Sequence, residues 1–401
     1  MTMSKPKLVV IGNGMAGVKT LEHLLNIAPN FYDITVFGTE PHPNYNRILL
    51  SPVLAGEMTL DDIVINDRAW YANHGVSLHL GKTIIRIDRK RRIVIADDGT
   101  ETPYDRLLLA TGSSAVKLPI PGNDLKNVVT YRDIGDTQSM IDISRTTKRA
   151  VVIGGGLLGL EAANGLALRG MQVTVVHVMP WLMERQLDQN AAKTLQRALE
   201  ARGVMFRLEA STTEIVGTDG KVSAITFKSG ERIETELVVM AVGIRPNVWL
   251  AESCGLHINR GIVVDDTLQT YDPRIYAVGE CVAHRGVSYG LVAPLYDMAS
   301  VCATHLAEVG SHYYLGTVPS TRLKVTGVDV FSAGNFMGTQ TSEAIVLKDP
   351  RNGIYRKLVI ENDLLIGSVL IGDTSAATQY VDMIAAKQNI AAMRNELMFI
   401  S

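Results

Sequence analysis

Short apolar runs alternate with helix-like stretches along most of this chain. Lys7–Ile11 reads as an apolar strand. From Met15 to Ile27, Val18, Leu21, Leu24 and Leu25 recur at helical spacing, and 32–37 is the next strand. The stretch 41–52 is rich in Pro and Asn, and polar sequence with helical patches runs on to Trp70. Short strands are expected at 77–80, 84–87 and 93–96, followed by the turn Asp97-Asp98-Gly99 and a near-continuous apolar strand at 106–110. Leu118-Pro119-Ile120-Pro121-Gly122 reads as a linker. The pattern then repeats, with strand 150–153, helix 158–169, strand 172–177, helix 184–202, strands 204–208, 213–217 and 222–228, and a closing strand at 237–241. Strands at 262–264 and 275–278 and a helix over 293–309 return to the first unit. From about Tyr313 the strands come without helices between them (321–326, 328–333, 343–347, 355–360, 364–371), and a final helix covers 374–394.

Strands that alternate with helices imply a parallel sheet. Each repeat also carries a glycine turn between its first strand and its first helix. These turns are Gly12 to Gly17 (GNGMAG) and Gly154 to Gly159 (GGGLLG), both of the form G-x-G-x-x-G. In such a turn the first glycine allows the tight bend. The second lets backbone approach a pyrophosphate, and the third lets helix and strand pack closely. The helix N-terminus beyond it offers free N–H groups to phosphates. A lone G-x-G-x-x-G is weak, but two in strand–turn–helix context predict two dinucleotides bound by one chain. The fold class is therefore α/β, with two Rossmann-like dinucleotide-binding domains and a small C-terminal α+β domain. The boundaries drawn are 1–117 with 244–312, 118–243, and 313–401.

An acid some 20 residues beyond the turn should take the ribose hydroxyls. Glu40 stands there after the first turn. After the second, the strand ends in Val175-Val176-His177, with no acid and no Arg directly following. A neutral His can bond a ribose hydroxyl without repelling a 2′-phosphate, which leans toward NADH and leaves NADPH open. An exposed loop residue is the plainer reading of His177. Glu161, just inside the second helix, either gains from the helix dipole or faces a nicotinamide.

Composition narrows the field. The 401 residues suffice for two or three cored domains, and a formal net charge of −2 argues against nucleic acid or an anionic membrane as partner. No apolar run is long enough to span a bilayer, and the first seven residues lack a signal-peptide core, so a soluble cytoplasmic protein is expected. The three cysteines, Cys254, Cys281 and Cys302, form no C-x-x-C pair. They are too few for a four-thiolate cluster, and no metal site is expected.

These features resemble the pyridine nucleotide-disulfide oxidoreductase superfamily, and more narrowly the N-terminal flavoprotein part of NAD(P)H-dependent assimilatory nitrite reductase large subunits. Leu108-Leu109-Ala110-Thr111-Gly112 resembles the strand end that passes FAD, and 239–247, ending the second repeat around Gly243, resembles its counterpart. Ile275-Tyr276-Ala277-Val278-Gly279-Glu280 resembles the second FAD fingerprint, with Glu280 replacing the commoner Asp toward the ribityl chain. The narrower likeness lies in 44–57, in 177–188 and in the tail 365–388. It implies FAD held by Gly12, Gly14, Met15, Ala16, Gly17, Glu40, Asn46, Arg47, Ile84, Ala110, Thr111, Gly112, Gly279, Glu280, Pro294 and Leu295. It implies NADH held by Gly154, Gly156, Leu157, Leu158, Gly159, His177 and Gly243, with Glu161 orienting the nicotinamide as the catalytic candidate.

The expected chemistry is hydride transfer from NAD(P)H to FAD. Electrons then pass to an iron–sulfur/siroheme partner not present in this chain, which makes the chain an excised module or a free-standing reductase subunit. The resemblance implies no thiol mechanism, because Ser51-Pro52 stands where thiol-dependent relatives place a Cys, and no Lys ion pair near the flavin, because Pro52 holds that position. Cys281 reads first as a small core residue. The competing readings are a rubredoxin or ferredoxin reductase, a nucleotide-occupied sensor without turnover, and an FAD-only scaffold whose second turn is vestigial.

Overall fold

The computed structural model describes residues 5–310, 312–325 and 328–400. The final residue of the strand expected at 321–326 and the first four residues of the N-terminal stretch lie outside the described residues. The chain forms two compact units. One comprises Met1–Arg47, Leu60–Ser114 and Ile244–Thr317, and the other Ile48–Thr59, Ala115–Gly243 and Val318–Ser401.

In the first unit a five-stranded parallel sheet runs in the order Ile275–Ala277, Arg106–Leu109, Lys7–Ile11, Asp33–Gly38, Val76–Leu80. Register is set by apolar residues, with Val9 opposite both Thr35 and Leu107. Leu8, Val10, Leu107, Leu108 and Leu109 are fully buried, as expected of a parallel sheet covered on both faces. The helix Met15–Ile27 packs its Val18, Leu21 and Leu24 into this core beside the helix Val292–Leu306. An antiparallel hairpin sheet, Ile84–Asp88, Ile93–Ala96 and Glu101–Pro103, completes the frame.

The second unit repeats this plan. Its parallel sheet has the order Val128–Thr130, Leu237–Met240, Arg149–Ile153, Gln172–Val176, Met205–Arg207. Its helix is Leu157–Leu168, and its antiparallel addition is Thr212–Thr218, Lys221–Phe227 and Arg232–Glu234. The same unit holds the C-terminal antiparallel sheet, ordered Ser320–Val325, Val328–Gly334, Leu364–Ile371, Ile354–Glu361, Glu343–Asp349. Helix Ala377–Ala386 covers this sheet through Tyr380 and Met383. Tyr355 ties sheet to helix, its hydroxyl donating to Asp188 Oδ2 at 2.9 Å, while Asp188 Oδ1 caps the helix Gln189–Glu200.

Several elements depart from the pattern-based expectation. The helix expected at 184–202 begins only at Gln189, because Asp188 caps it and 184–188 is loop. The final helix stops at Ala386, where Lys387 takes a left-handed conformation (φ 48°) instead of continuing to 394. The strand Val128–Thr130 and the helix Ile134–Ser144, the latter capped by the Asp133 side chain on the Asp136 N–H, were not anticipated. The Pro-rich stretch 41–52 leads into a short helix, Leu50–Ala55, that belongs to the second unit.

Candidate functional site

Both glycine turns close against the ends of their own parallel strands. Gly12 donates to Phe37 O (2.8 Å) and Ala110 to Ile11 O (2.8 Å), while Val278 donates to Leu109 O (3.0 Å). In the second unit Gly154 donates to Val176 O (2.8 Å) and Ala241 to Ile153 O (2.9 Å). Gly12 (φ +115°) and Gly154 (φ +123°) are in backbone conformations that favour glycine. A Cβ there would lie 2.1 Å from Ala110 O and 2.2 Å from Ala241 O respectively. Gly17 and Gly159 are crowded too, Gly159 the more tightly, with a Cβ falling 2.9 Å from Gly12 O and 2.0 Å from Gly154 O. Gly14 and Gly156, the residues that precede each helix, face open space within 4 Å. The spatial division therefore fits a dinucleotide: first and third glycines are closed by protein, and the middle one is left clear for a ligand.

Around the first turn the predicted residues gather. Arg47 reaches Glu40 Oε1 at 2.6 Å, and the Tyr45 hydroxyl donates to Glu40 Oε2 at 2.7 Å. Burial works against the charge on Arg47, but Tyr45, Glu40 and Glu280 outweigh it and raise its pKa. Glu280 accepts from the Ser113 hydroxyl at 2.7 Å. The Gly279 position crowds Ala16, 3.0 Å from a hypothetical Cβ, which sets the segment 275–280 against the first turn. Thr111 and Asn247 exchange two hydrogen bonds (2.7 and 2.8 Å) that fix the segment around Gly112, and Asn46 N–H bonds Ile63 O. Met15 opens the helix Met15–Ile27. Pro294 and Leu295 are buried in the first turn of Val292–Leu306. The side chain of Ile84 is spent in the core, although the loop before it reaches the site through Gly81 N–H on Glu40 O (3.1 Å). Cys281 is fully buried and its Sγ contacts the carbonyls of Val278 and Leu109, so burial pushes the thiol up and away from reactivity.

At the second turn two expectations change. Glu161 is not in the first turn of Leu157–Leu168, where the helix dipole is strongest, but one turn further in. Its carboxylate accepts from the Ser51 hydroxyl at 2.7 Å, and Ser51 Oγ lies 3.1 Å from the Tyr131 hydroxyl. Burial pushes the Glu161 carboxyl up to about 7, with the Ser51 hydrogen bond pulling the other way. Tyr131 is also pushed up by burial. The three groups make a chain of hydroxyls leading to a carboxyl that can hold a proton near neutrality.

His177 is not an exposed loop residue. It is 8% exposed, its Nδ1 accepts from Gly155 N–H at 3.1 Å, and its Nε2 lies 3.0 Å from Glu184 Oε2. Both ring nitrogens are thus engaged by protein, which leaves the imidazole no nitrogen to offer a ribose. Leu157 opens the helix, Leu158 is 37% exposed beside the turn, and Gly243 (φ +119°) is exposed with open space around it.

The hydrogen-bond partners of Glu161 and His177 that sequence reasoning missed are Ser51, with Tyr131 beside it, and Glu184. The Asp133 cap marks the helix after Tyr131 and was the available signal there; nothing local marks Ser51 or Glu184. Arg169 holds the Ser51 helix in place, its guanidinium bonding the carbonyls of Leu54 and Val53 (3.2 Å to the latter). Gly165 allows Leu54 to approach, because a Cβ there would lie 2.7 Å from Leu54 Cγ. Among the described residues no cluster of three or more His, Cys, Asp or Glu could hold a metal, and no helix is long and apolar enough to cross a membrane.

Comparison with known proteins agrees with this geometry. Residues 6–302 match the family described as pyridine nucleotide-disulphide oxidoreductase, and residues 319–388 match the rubredoxin NAD+ reductase C-terminal domain. The NAD(P)H nitrite reductase of Bacillus subtilis (strain 168) is 51% identical over 97% of this chain and 48% of its own length. The assimilatory nitrate reductase electron transfer subunit of the same organism is 45% identical over 98% of this chain and 51% of its own length. The chain therefore spans about half the length of these curated relatives. A solved NAD-dependent persulfide reductase from A. fulgidus superposes with a TM-score of 0.89 at 26% identity, covering 97% of this chain and 78% of that one. With two strand–turn–helix frames of one plan and a family match across both, this chain belongs to the pyridine nucleotide-disulphide oxidoreductase family, oxidoreductases that bind FAD and NAD(P)H.

Proposed function

We propose that this chain draws electrons from NADH and delivers them to an iron–sulfur and siroheme nitrite-reducing centre that it does not itself carry. The observation behind this reading is the 51% identity, over 97% of the chain, to a nitrite reductase that uses NAD(P)H. FAD, when bound, supplies the hydride acceptor and the donor of single electrons that such a reductase needs.

The residues of the first unit divide the work of holding it. The helix start after Gly14 presents N–H groups to the pyrophosphate, Glu40 takes the adenosine ribose, and Glu280 takes the ribityl chain. Arg47 fixes the Glu40 carboxylate at 2.6 Å and offsets its charge. In the second unit the helix start after Gly156 receives the nicotinamide dinucleotide in the same way. Glu161 orients the carboxamide, and a carboxyl that titrates at about 7 can meet it as donor or as acceptor. Ser51 and Tyr131 hold that carboxyl in one rotamer and can return a proton to it. No residue has to abstract a proton from substrate, so the protein's part is placement and electrostatics.

The isolated chain, reconstituted with FAD, is expected to reduce artificial electron acceptors with NADH and to show no steady reduction of nitrite. Sustained ammonia formation from nitrite by this chain alone would overturn the proposal. The match of residues 319–388 to a rubredoxin reductase domain favours a second reading, delivery to rubredoxin or a ferredoxin. Rates with purified rubredoxin against rates with an iron–sulfur/siroheme fragment separate the two.

A further inference from the structure

The second glycine turn lacks an acid at the end of its neighbouring strand, yet the structure supplies one from elsewhere. His177 occupies the position where a ribose-binding acid is expected, directly after Gln172–Val176. Its ring spans from Gly155 N–H at Nδ1 to the Glu184 carboxylate at Nε2. The hydrogen-bond roles fix the tautomer. Nδ1 accepts from an N–H, so Nε2 carries the proton and donates to Glu184.

The loop that brings Glu184 back is built for this return. Met183 is fully buried in a left-handed conformation (φ 52°), which a long side chain rarely adopts, and its N–H donates to Gly155 O at 2.9 Å. Gly155 is thus held on both sides, by His177 on its N–H and by Met183 on its carbonyl. A Cβ at Gly155 would lie 2.8 Å from both the His177 ring and Leu182, so the loop packs directly on the turn. The Glu184 side chain remains 24% exposed while it holds its hydrogen bond to His177. Arg207, whose carbonyl accepts from the His177 N–H at 2.8 Å, pairs its own guanidinium with Glu231 at 3.5 Å.

We propose that Glu184, held by His177, is the acid of the second turn: it accepts from the adenosine ribose 2′-hydroxyl of NADH and repels the 2′-phosphate of NADPH. The inference rests on the reading that this turn takes a nicotinamide dinucleotide. Glu184 is the specificity-determining residue, and His177 and Met183 are positioning residues that act through it.

Calorimetric titration of the FAD-loaded chain with NAD+ and with NADP+ tests this directly. Wild type should bind NAD+ more tightly than NADP+ by about tenfold or more, and Glu184→Gln, which keeps an acceptor for His177, should narrow that ratio by about tenfold through tighter NADP+ binding. Flavin content and melting temperature should be unchanged in the variant. A second arm needs no variant. Adenosine 2′,5′-bisphosphate should compete with NAD+ less well than AMP on wild type. Equal competition, wild-type preference for NADP+, or an unchanged ratio in a folded Glu184→Gln chain would overturn the assignment. Binding of neither NAD+ nor NADP+ would instead remove the functional reading beneath it.

Discussion

The two glycine turns share a backbone and differ in charge. Each closes its first and third glycines against carbonyls, 2.1 and 2.9 Å from a hypothetical Cβ in one and 2.2 and 2.0 Å in the other, and leaves its middle glycine open. At the first turn an acid, Glu40, stands two residues beyond the strand, and Arg47 and Tyr45 bind it from outside the turn. At the second, a histidine follows the strand and the acid arrives seven residues later along a strained loop. Steric rules left little freedom in the frame, while the acid beside each turn comes from a different place in the sequence.

The most damaging test of this comparison is Gly154→Ala. Its Cβ would meet Ala241 O at 2.2 Å in a conformation unfavourable to alanine, so the chain should keep its flavin while NADH-dependent acceptor reduction falls on the order of a hundredfold. Equal loss of flavin would mean that the two turns do not serve separate nucleotides. Glu40→Ala should act on the other side, weakening FAD retention by about tenfold or more and leaving the dissociation constant for NAD+ unchanged; equilibrium dialysis of flavin measures it.

Glu161 sharpens the comparison through pH. Its carboxyl is raised from the ordinary 4.5 to about 7 by burial. Between those values the native chain keeps a proton that the unfolded chain has lost, so this group's contribution makes stability fall as pH rises through the window and level off above it. Glu161→Gln should remove that slope and be the more stable form at pH 8, by on the order of 2 kcal/mol, in denaturant titrations at several pH values. A variant with the wild-type slope would contradict the assignment. Arg169→Ala removes the clamp on the carbonyls of Leu54 and Val53 and should cost about 1–3 kcal/mol in the same titrations. Cys281→Ala should leave turnover within about twofold of wild type, since a fully buried thiol whose pKa burial raises is a poor nucleophile and packs as a small core residue.

Most of the frame was legible in the sequence, because its determinants are local. Apolar runs without alternation marked the parallel strands, helical spacing from Val18 to Leu25 marked the first helix, and glycine spacing marked both turns. The partners Ser51, Tyr131 and Glu184 were not legible as such. Ser51 is 110 residues from Glu161, and Tyr131 is 80 from Ser51, so only the folded chain brings them together. Glu184 looked like the first residue of a helix because 184–202 is helix-like in pattern, but the Asp188 cap starts the helix later and frees the preceding residues to form the loop. The raised pKa of Glu161 was hidden for a related reason: position near a helix start suggests a stabilised carboxylate, whereas burial among residues from distant elements decides the outcome.

The central claim is that one chain holds a flavin behind Gly12–Gly17 and meets a nicotinamide dinucleotide behind Gly154–Gly159. Anaerobic addition of NADH to the FAD-loaded chain tests it most directly. The account predicts that the yellow flavin absorbance bleaches in proportion to NADH added, up to about one equivalent per chain. A chain that takes up no FAD, or one that stays yellow with NADH in excess, would contradict it.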